Sequence, residues 1–188
     1  MDLLQALYHR RSTPSRLLAE PGPDDVQLRQ LLTCAVRVPD HGKLVPWRFL
    51  CIRGAQRQQL GELLAVRALE RDPRVAAAVI EKDRQRFSHA PLVIAVIGRL
   101  APTNKIPLQE QLLSGGAVCL LLLQAADAMG FGAQWLTGWA AYDRVVTARL
   151  GLGENERVLG FIHLGTAVER VPERERPDPD ALLTELQL

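Results

Sequence analysis

The sequence predicts a layered domain of the α/β or α+β class, and three stretches carry that prediction. Residues 47–53 alternate along the chain with the period of a β-strand. Residues 90–98, APLVIAVIG, are continuously apolar and rich in β-branched side chains, which is typical of a central strand covered on both faces. Residues 107–129 permit one long helix that is apolar nearly all round. Strands separated by helices in this order indicate a sheet with helical layers.

The composition allows a sizeable core. Of the 188 residues 47% are hydrophobic, so we expect a single domain over residues 1–188, of which 168–188 form a polar, proline-rich C-terminal tail. Charged residues make up 23% and the net charge is +2, which argues against intrinsic disorder and against a general nucleic-acid binder. The N-terminus has no basic region followed by an apolar run, and no stretch approaches the ~18 apolar residues of a membrane span. We therefore expect a soluble cytoplasmic protein.

Capping residues mark the first two helices. Asp2 can cap a helix whose apolar residues share a face and which ends near the arginines before Pro14. Pro23, Asp24 and Asp25 open a second helix with apolar residues at helical spacing. The segment VPDHG, residues 38–42, ends it. The remaining elements are predicted from the same periodicities: helices at 55–70, 73–87 and 141–150, and strands at 131–139 and 158–165.

The length and apolarity of the helix predicted over residues 107–129 limit where this helix can lie. At 1.5 Å per residue it spans roughly 35 Å, about the width of a small domain. A helix without a polar side must be buried on every side, so it lies in the core or at a subunit interface. Gly115 and Gly116 each weaken such a helix by about 1 kcal/mol, which indicates the close approach of a second helix or of a ligand. Of the two, we favour the close packing of a second helix.

The cysteines and histidines predict no metal site. No CxxC or Cys/His cluster occurs, and the three cysteines lie in apolar stretches, so we interpret Cys34, Cys51 and Cys119 as small buried hydrophobes. His163 alternates within an apolar strand and is expected to be a hydrogen-bonded core histidine, whereas His9 and His89 are expected at the surface. Neither a dinucleotide fingerprint at Gly130, Gly132 and Gly138 nor a P-loop fits the spacing of the glycines.

Two clusters of hydrogen-bond donors follow the first two helices. Arg10, Arg11 and Ser12 supply two guanidinium forks and a hydroxyl, a combination that suits a phosphate ester. Arginines at a helix C-terminus also complement the helix dipole, worth ~0.3–1 kcal/mol, and on this stretch alone that interpretation is favoured. Residues 37–47, RVPDHGKLVPW, form a stiff loop that presents three cationic or titratable donors, although an ordinary solvated loop fits equally well. The donors of the loop are Arg37, His41 and Lys43.

Taken in order, these motifs resemble the flavin-dependent nitroreductase family, and most of all its compact branch of NAD(P)H nitroreductases. RRS ends the first helix, R-x-P-D-H closes the second and P-W-x-F opens the first strand. A glycine-containing apolar helix is followed by GFG-x-x-W, and GF-x-x-LGT lies near the end. No single motif is specific, but their order over residues 2–167 is.

The resemblance implies a nitroreductase-like α+β fold, with a central, mostly antiparallel sheet flanked by helices. It also implies a homodimer that binds two FMN molecules between its subunits, with residues 107–129 in the dimer core. By this similarity Arg10, Arg11 and Ser12 hold the phosphate and the flavin edge. Arg37 and His41 reach the same flavin from the partner chain, and the ring is lined by Trp135, Leu136 and Thr137. Contacts of Lys43 or Arg170 with the phosphate are left open.

The activity that the resemblance implies is an FMN-dependent NAD(P)H oxidoreductase. It would reduce nitroaromatic or quinone-like acceptors by ping-pong hydride transfer, and because FMN carries the chemistry, no catalytic side chain and no metal are expected. Two alternatives stay open. The chain could be a flavin-binding redox sensor or carrier without turnover, or the same fold could serve dehalogenase or flavin-breakdown chemistry.

Overall fold

The computed structural model describes residues 3–187 and shows an antiparallel sheet with helices on both faces. The helices are α1 Leu3–His9, α2 Asp25–Ala35, α3 Ala55–Arg71, α4 Ala77–Gln85, α5 Leu108–Ala128 and α6 Arg144–Arg149. The strands are β1 Leu18–Ala19, β2 Trp47–Arg53, β3 Leu92–Arg99, β4 Gly132–Leu136 and β5 Glu156–Ala167. Short 3₁₀ turns lie at Ser15–Leu17, His41–Lys43 and Trp139–Ala141.

Strand β5 organises the sheet, because it pairs with three other strands. It pairs with β3 over most of its length, with β4 near its C-terminal end and with β1 at its last two residues. Strand β3 in turn pairs with β2. All four pairings are antiparallel, so the predicted α+β class is confirmed. The sequence did not predict β1, since two residues are too few to show a period.

Two apolar layers cover the sheet. Alternate residues of β3, such as Ile94 and Val96, pack with α2 and α5, and the residues between them pack with α3 and α6. Strand β3 is buried from Leu92 to Gly98, which confirms the prediction of a central strand covered on both faces. Helix α2 begins with a reciprocal capping box, in which the Asp24 carboxylate accepts the Gln27 N–H and the Gln27 side chain accepts the Asp24 N–H.

Helix α5 packs on the sheet with one side and leaves the other open. Eight of its residues are buried, whereas Leu113 and Leu120 are 65% and 43% exposed. By length and composition α5 could cross a membrane, so the expectation that no stretch approaches that size is wrong. Half of its most apolar window is nevertheless buried inside the protein, as in the core helix of a globular domain.

The two glycines of α5 have different surroundings. A Cβ added at Gly115 would overlap Cδ1 of Leu159, so this glycine admits a side chain of β5 and not a second helix as predicted. A Cβ added at Gly116 would meet no atom of the described residues within 4 Å, because this glycine faces the open side of α5. The interpretation of the pair as one helix-packing site is therefore wrong for Gly115.

Other residue-level expectations had mixed outcomes. Cys119 is buried as predicted, but Cys34 and Cys51 are exposed. His163 is buried as predicted, yet neither of its ring nitrogens has a hydrogen-bond partner among residues 3–187. Helix α4 begins four residues later than position 73, and the predicted helix 141–150 starts as a 3₁₀ turn. The proposed cap Asp2 lies outside the described residues.

Candidate functional site

The segment after α1 is fixed to the beginning of β4. The Thr13 N–H donates to the Ala133 carbonyl at 2.9 Å, and the Ser15 N–H donates to the Gln134 side chain at 2.6 Å. These two bonds position residues 10–12, which lie between the end of α1 and Thr13. Within that stretch, Arg10 Nη1 lies 3.4 Å from Ser12 Oγ and donates to it. The structure therefore brings the predicted residues Arg10 and Ser12 into contact.

A pocket of about 690 Å³ opens beside this segment. Arg11 lines it, and the Arg11 Nε is buried without a hydrogen-bond partner in the part of the chain that the structure describes. Arg170, left open as a phosphate contact, lies in the same wall. The pocket is not purely basic, because three acidic residues also line it: Asp127, Glu169 and Glu173.

A carboxylate already lies among the guanidinium groups. Glu173 Oε1 lies 3.5 Å from Arg11 Nη1 and 2.9 Å from Arg176 Nη2. The same Arg176 nitrogen lies 3.5 Å from the Arg10 carbonyl, so the tail folds back over the arginine segment. The Arg174 backbone N–H, followed by Arg176 and Arg11, holds the pKa of Glu173 below its usual value. Two guanidinium groups, those of Arg11 and Arg176, therefore lie against a carboxylate of the same chain.

Asp127, in the last turns of α5, belongs to the same cluster. Partial burial raises the pKa of its carboxyl, and the nearby positive charge of Arg10 opposes that rise. The end of α5 that carries Asp127 is therefore the end that lies beside Arg10 and Arg11.

The second predicted cluster docks at the opposite end of α5. His41 Nδ1 lies 2.6 Å from Glu110 Oε2, and Ser114 Oγ donates to the Pro39 carbonyl at 2.9 Å. Both α5 residues are in its first two turns. Arg37 and Lys43 are exposed and form no ion pair in the part of the chain that the structure describes.

The backbone of this loop is unusual. Gly42, Lys43 and Val45 have φ angles of 66°, 53° and 50°, in the left-handed region. A β-branched residue such as Val45 is strained there. The Asp40 carboxylate accepts the Val45 N–H at 2.9 Å and so stabilises the turn.

The two clusters are too far apart to form one site within a chain. Glu110 and Asp127 are 17 positions apart on α5, which corresponds to about 25 Å along the helix axis. Arg37 and His41 therefore do not meet Arg10, Arg11 and Ser12 in the same subunit.

The C-terminal end of β4 carries the other three predicted residues. The Trp135 indole N–H donates to the Leu159 carbonyl at 3.0 Å, and the side chain is 38% exposed. A Cβ at Gly160 would overlap the indole, so that glycine lets the ring lie against β5. Leu136 and Thr137 are half-buried. Among the described residues, the N–H groups of Thr137 and Gly138 have no acceptor.

Comparison with known proteins decides the family. A sequence model described as the nitroreductase family matches residues 7–166. The chain belongs to the nitroreductase family. Membership makes the protein an oxidoreductase and confirms the family and fold that the motifs indicated.

Individual members support the assignment. This nitroreductase-family chain is 35% identical to an Escherichia coli protein named "Putative NAD(P)H nitroreductase YdjA" over 98% of the chain and 99% of the relative. A nitroreductase-like protein from Bacillus cereus superposes with a TM-score of 0.84 at 20% identity, covering 99% and 96% of the two chains. A nitroreductase from Bacteroides fragilis, solved with bound FMN, superposes with a TM-score of 0.75 at 19% identity over the whole of both chains.

The nitroreductase-family fold brings together residues that the sequence did not single out. Glu173 and Arg176 join the arginine cluster from the tail, and Asp127 joins it from α5. The charged run ERER at 173–176 was visible in the sequence. Its position was not, because no periodicity shows where an irregular tail folds back.

Proposed function

We propose that this chain is an FMN-dependent NAD(P)H oxidoreductase that reduces nitroaromatic or quinone-like acceptors. The observation that carries the proposal is the cluster of guanidinium and hydroxyl donors at Arg10, Arg11 and Ser12, which lies at one end of β4 while backbone donors without an acceptor among the described residues lie at the other. The E. coli relative is named for NAD(P)H, and the B. fragilis relative was solved with FMN. Both agree with the cofactor and reductant predicted from the motifs.

The residues present fit the two ends of FMN. A phosphate needs guanidinium forks and a hydroxyl, and the segment after α1 supplies both; one of its guanidinium groups, that of Arg11, already lies against the Glu173 carboxylate. The planar ring needs an apolar face and hydrogen-bond donors at its edge. The partly exposed indole of Trp135 offers the face, and the unpaired N–H groups of Thr137 and Gly138 offer the donors.

The site we propose requires two subunits. An antiparallel pair of α5 helices related by a two-fold axis would place the Glu110 end of one beside the Asp127 end of the other. Arg37 and His41 of one chain would then reach Arg10, Arg11 and Ser12 of its partner. The open side of α5 provides an apolar surface for that pairing, with Leu113 and Leu120 on either side of Gly116. We infer a homodimer.

The residues have separable tasks in the proposed reaction. FMN, when bound, supplies the hydride and electron transfer. Arg10, Arg11 and Ser12 hold the phosphate. The N–H groups of Thr137 and Gly138 stabilise negative charge at the ring edge, as preorganised donors do elsewhere. In a ping-pong sequence NAD(P)H leaves before the acceptor enters, so one open face serves both planar substrates in the cytoplasm.

The colour of the purified protein tests the proposal. We expect a yellow protein that is bleached anaerobically by NADH or NADPH and recovers its colour with a quinone or a nitroaromatic compound. A yellow protein inert to both nucleotides would support a flavin sensor or carrier without turnover. A protein that takes up no FMN on reconstitution would refute both.

The phosphate site has its own test. Arg10→Ala is expected to weaken FMN binding by about 1.5–3 kcal/mol, the range for a hydrogen bond to a charged group. Titration of the apoprotein against FMN fluorescence measures the effect, with Arg16→Ala as the control because Arg16 is exposed and forms no ion pair in the described part of the chain. Equal affinities of the two variants would show that the anchor is misplaced.

A further inference from the structure

The segment that follows β4 is held by a buried polar cluster from the end of α4. Asp83 is 4% exposed and uses both carboxylate oxygens. Its Oδ2 accepts the Trp139 indole N–H at 3.1 Å, and its Oδ1 accepts Arg86 Nη2 at 2.5 Å and Nε at 3.2 Å. We call Asp83, Arg86 and Trp139 the α4 clamp.

The clamp also fixes the residue before Trp139. Gly138 has φ 68° and ψ −177°, a conformation essentially restricted to glycine. A Cβ at this position would lie 2.7 Å from Arg86 Nη1, so the guanidinium packs directly against the glycine backbone. The segment is therefore held at Gly138 by packing and at Trp139 by a hydrogen bond.

A second cation contacts the ring of Trp139. The Arg71 guanidinium carbon lies 4.6 Å from the centre of the indole, a cation–π contact. Trp139 is thus fixed between α3 and α4. These three contacts hold two adjacent residues, Gly138 and Trp139, directly after Thr137.

Stability alone does not account for such a cluster. A buried ion pair contributes little net stability, because the loss of solvation offsets the attraction of the charges. Its directional bonds do fix geometry. The positions that the α4 clamp fixes are those next to the unpaired N–H groups at the end of β4.

We propose that the α4 clamp positions the flavin ring edge. Asp83, Arg86 and Trp139 act through Gly138 to direct the N–H groups of Thr137 and Gly138 toward the ring, and they touch the backbone rather than the cofactor. Errors of about 1 Å in such donors are costly, so a buried support is expected. The inference rests on the proposed function, since it needs FMN beside β4.

Paired variants test the α4 clamp. Arg86→Gln removes the charge against Asp83, and Trp139→Phe removes the indole N–H but keeps an aromatic ring. Arg84→Gln is the matched control, because Arg84 lies on the same helix and pairs at the surface with Glu81 and Glu62. We expect both clamp variants to raise the FMN dissociation constant about three- to tenfold and to make the reduction potential of bound flavin more negative. Arg84→Gln should change neither.

Separate readouts distinguish the outcomes. A purely structural role would lower the melting temperature of the clamp variants while the flavin potential stayed at the wild-type value, and that result overturns the inference. Arg86→Lys keeps a charge against Asp83, so it should retain the fold. Because it lacks the guanidinium that packs on Gly138, it should still show the more negative flavin potential of the other clamp variants. Failure of the wild-type apoprotein to bind FMN would instead overturn the proposed function. Normal FMN binding with unchanged potentials in all variants would overturn the α4 clamp alone.

Discussion

Glu173 places a negative charge where the proposed function places a phosphate. Its carboxylate contacts Arg11 and Arg176, so it occupies donors that FMN would need. The side chain is 53% exposed, and an exposed ion pair of this kind is weak. A phosphate with nearly two charges should therefore displace it, at a small cost in affinity.

We predict that Glu173→Gln strengthens FMN binding. The change removes both the competing acceptor and its repulsion, and we expect about a two- to fivefold lower dissociation constant. Fluorescence titration of the apoprotein measures it. Glu175→Gln is the control, since Glu175 forms no ion pair in residues 3–187. The gain should shrink as salt is added; a gain of equal size at high salt, or in both variants, would argue against competition at Arg11.

His163 is a buried base whose ring nitrogens have no hydrogen-bond partner within the described part of the chain. It stacks on Phe87, with ring centres 5.7 Å apart. Burial lowers the pKa of His163 to about 4, and the charges of Arg86 and His89 add to the effect. The folded protein therefore favours the neutral form of the His163 ring.

We predict that His163 destabilises the fold in acid. The unfolded chain takes up a proton near pH 6.5 that the folded chain does not take up until about pH 4. Stability is therefore complete above pH 6.5 and falls as the pH decreases toward 4, with about 2 kcal/mol lost between pH 7.5 and 5. Urea unfolding at the two pH values measures the loss. His163→Phe should abolish this part of the pH dependence, and the exposed His89→Gln should keep it; equal slopes in all three proteins would contradict the assignment.

At the scale of elements, the sequence predicted those whose periodicity runs over many residues. The bounds of α2, α5, β2 and β3 agree with the structure to within two residues. Strand β1 was missed because it depends on its partner β5 and not on a local pattern. The site residues also differ in whether a local sequence signal marks them. Arg10 and Ser12 are predictable from a motif, whereas Glu173 and Asp83 reach their positions through tertiary folding that no local signal encodes.

The contact between Gly115 of α5 and Leu159 of β5 can be tested by substitution of the glycine. Gly115→Ala gains about 1 kcal/mol of helix propensity but forces a methyl group onto Leu159, and overpacking typically costs about 1–3 kcal/mol. We expect a net loss of up to about 2 kcal/mol in the free energy of unfolding, measured by urea denaturation. Gly116→Ala has the same propensity gain without the overlap, so its subunits should be no less stable. If Gly115→Ala proved as stable as Gly116→Ala, the contact between α5 and β5 would be looser than described.

At the scale of the whole molecule, the open side of α5 and the divided site point to the same assembly. Leu113, Gly116 and Leu120 recur at helical spacing and form one stripe. The two donor clusters lie at opposite ends of that helix. The tail folds over the arginines of its own chain through Arg176. A single domain with a tail from residue 168 stays a prediction.

Charge placed on the stripe should therefore remove assembly and cofactor together. We predict that wild type has twice the chain mass of 20.8 kDa in light scattering, and that Leu113→Arg has the mass of one chain, since an unpaired cation at the centre of an apolar interface is strongly unfavourable. The monomer lacks Arg37 and His41 of the partner, so its FMN affinity should fall as well. Val66→Arg, at an exposed apolar position of α3, should alter neither property. A monomeric Leu113→Arg that binds FMN like wild type would show that each chain completes its own site, and the two clusters would then need separate explanations.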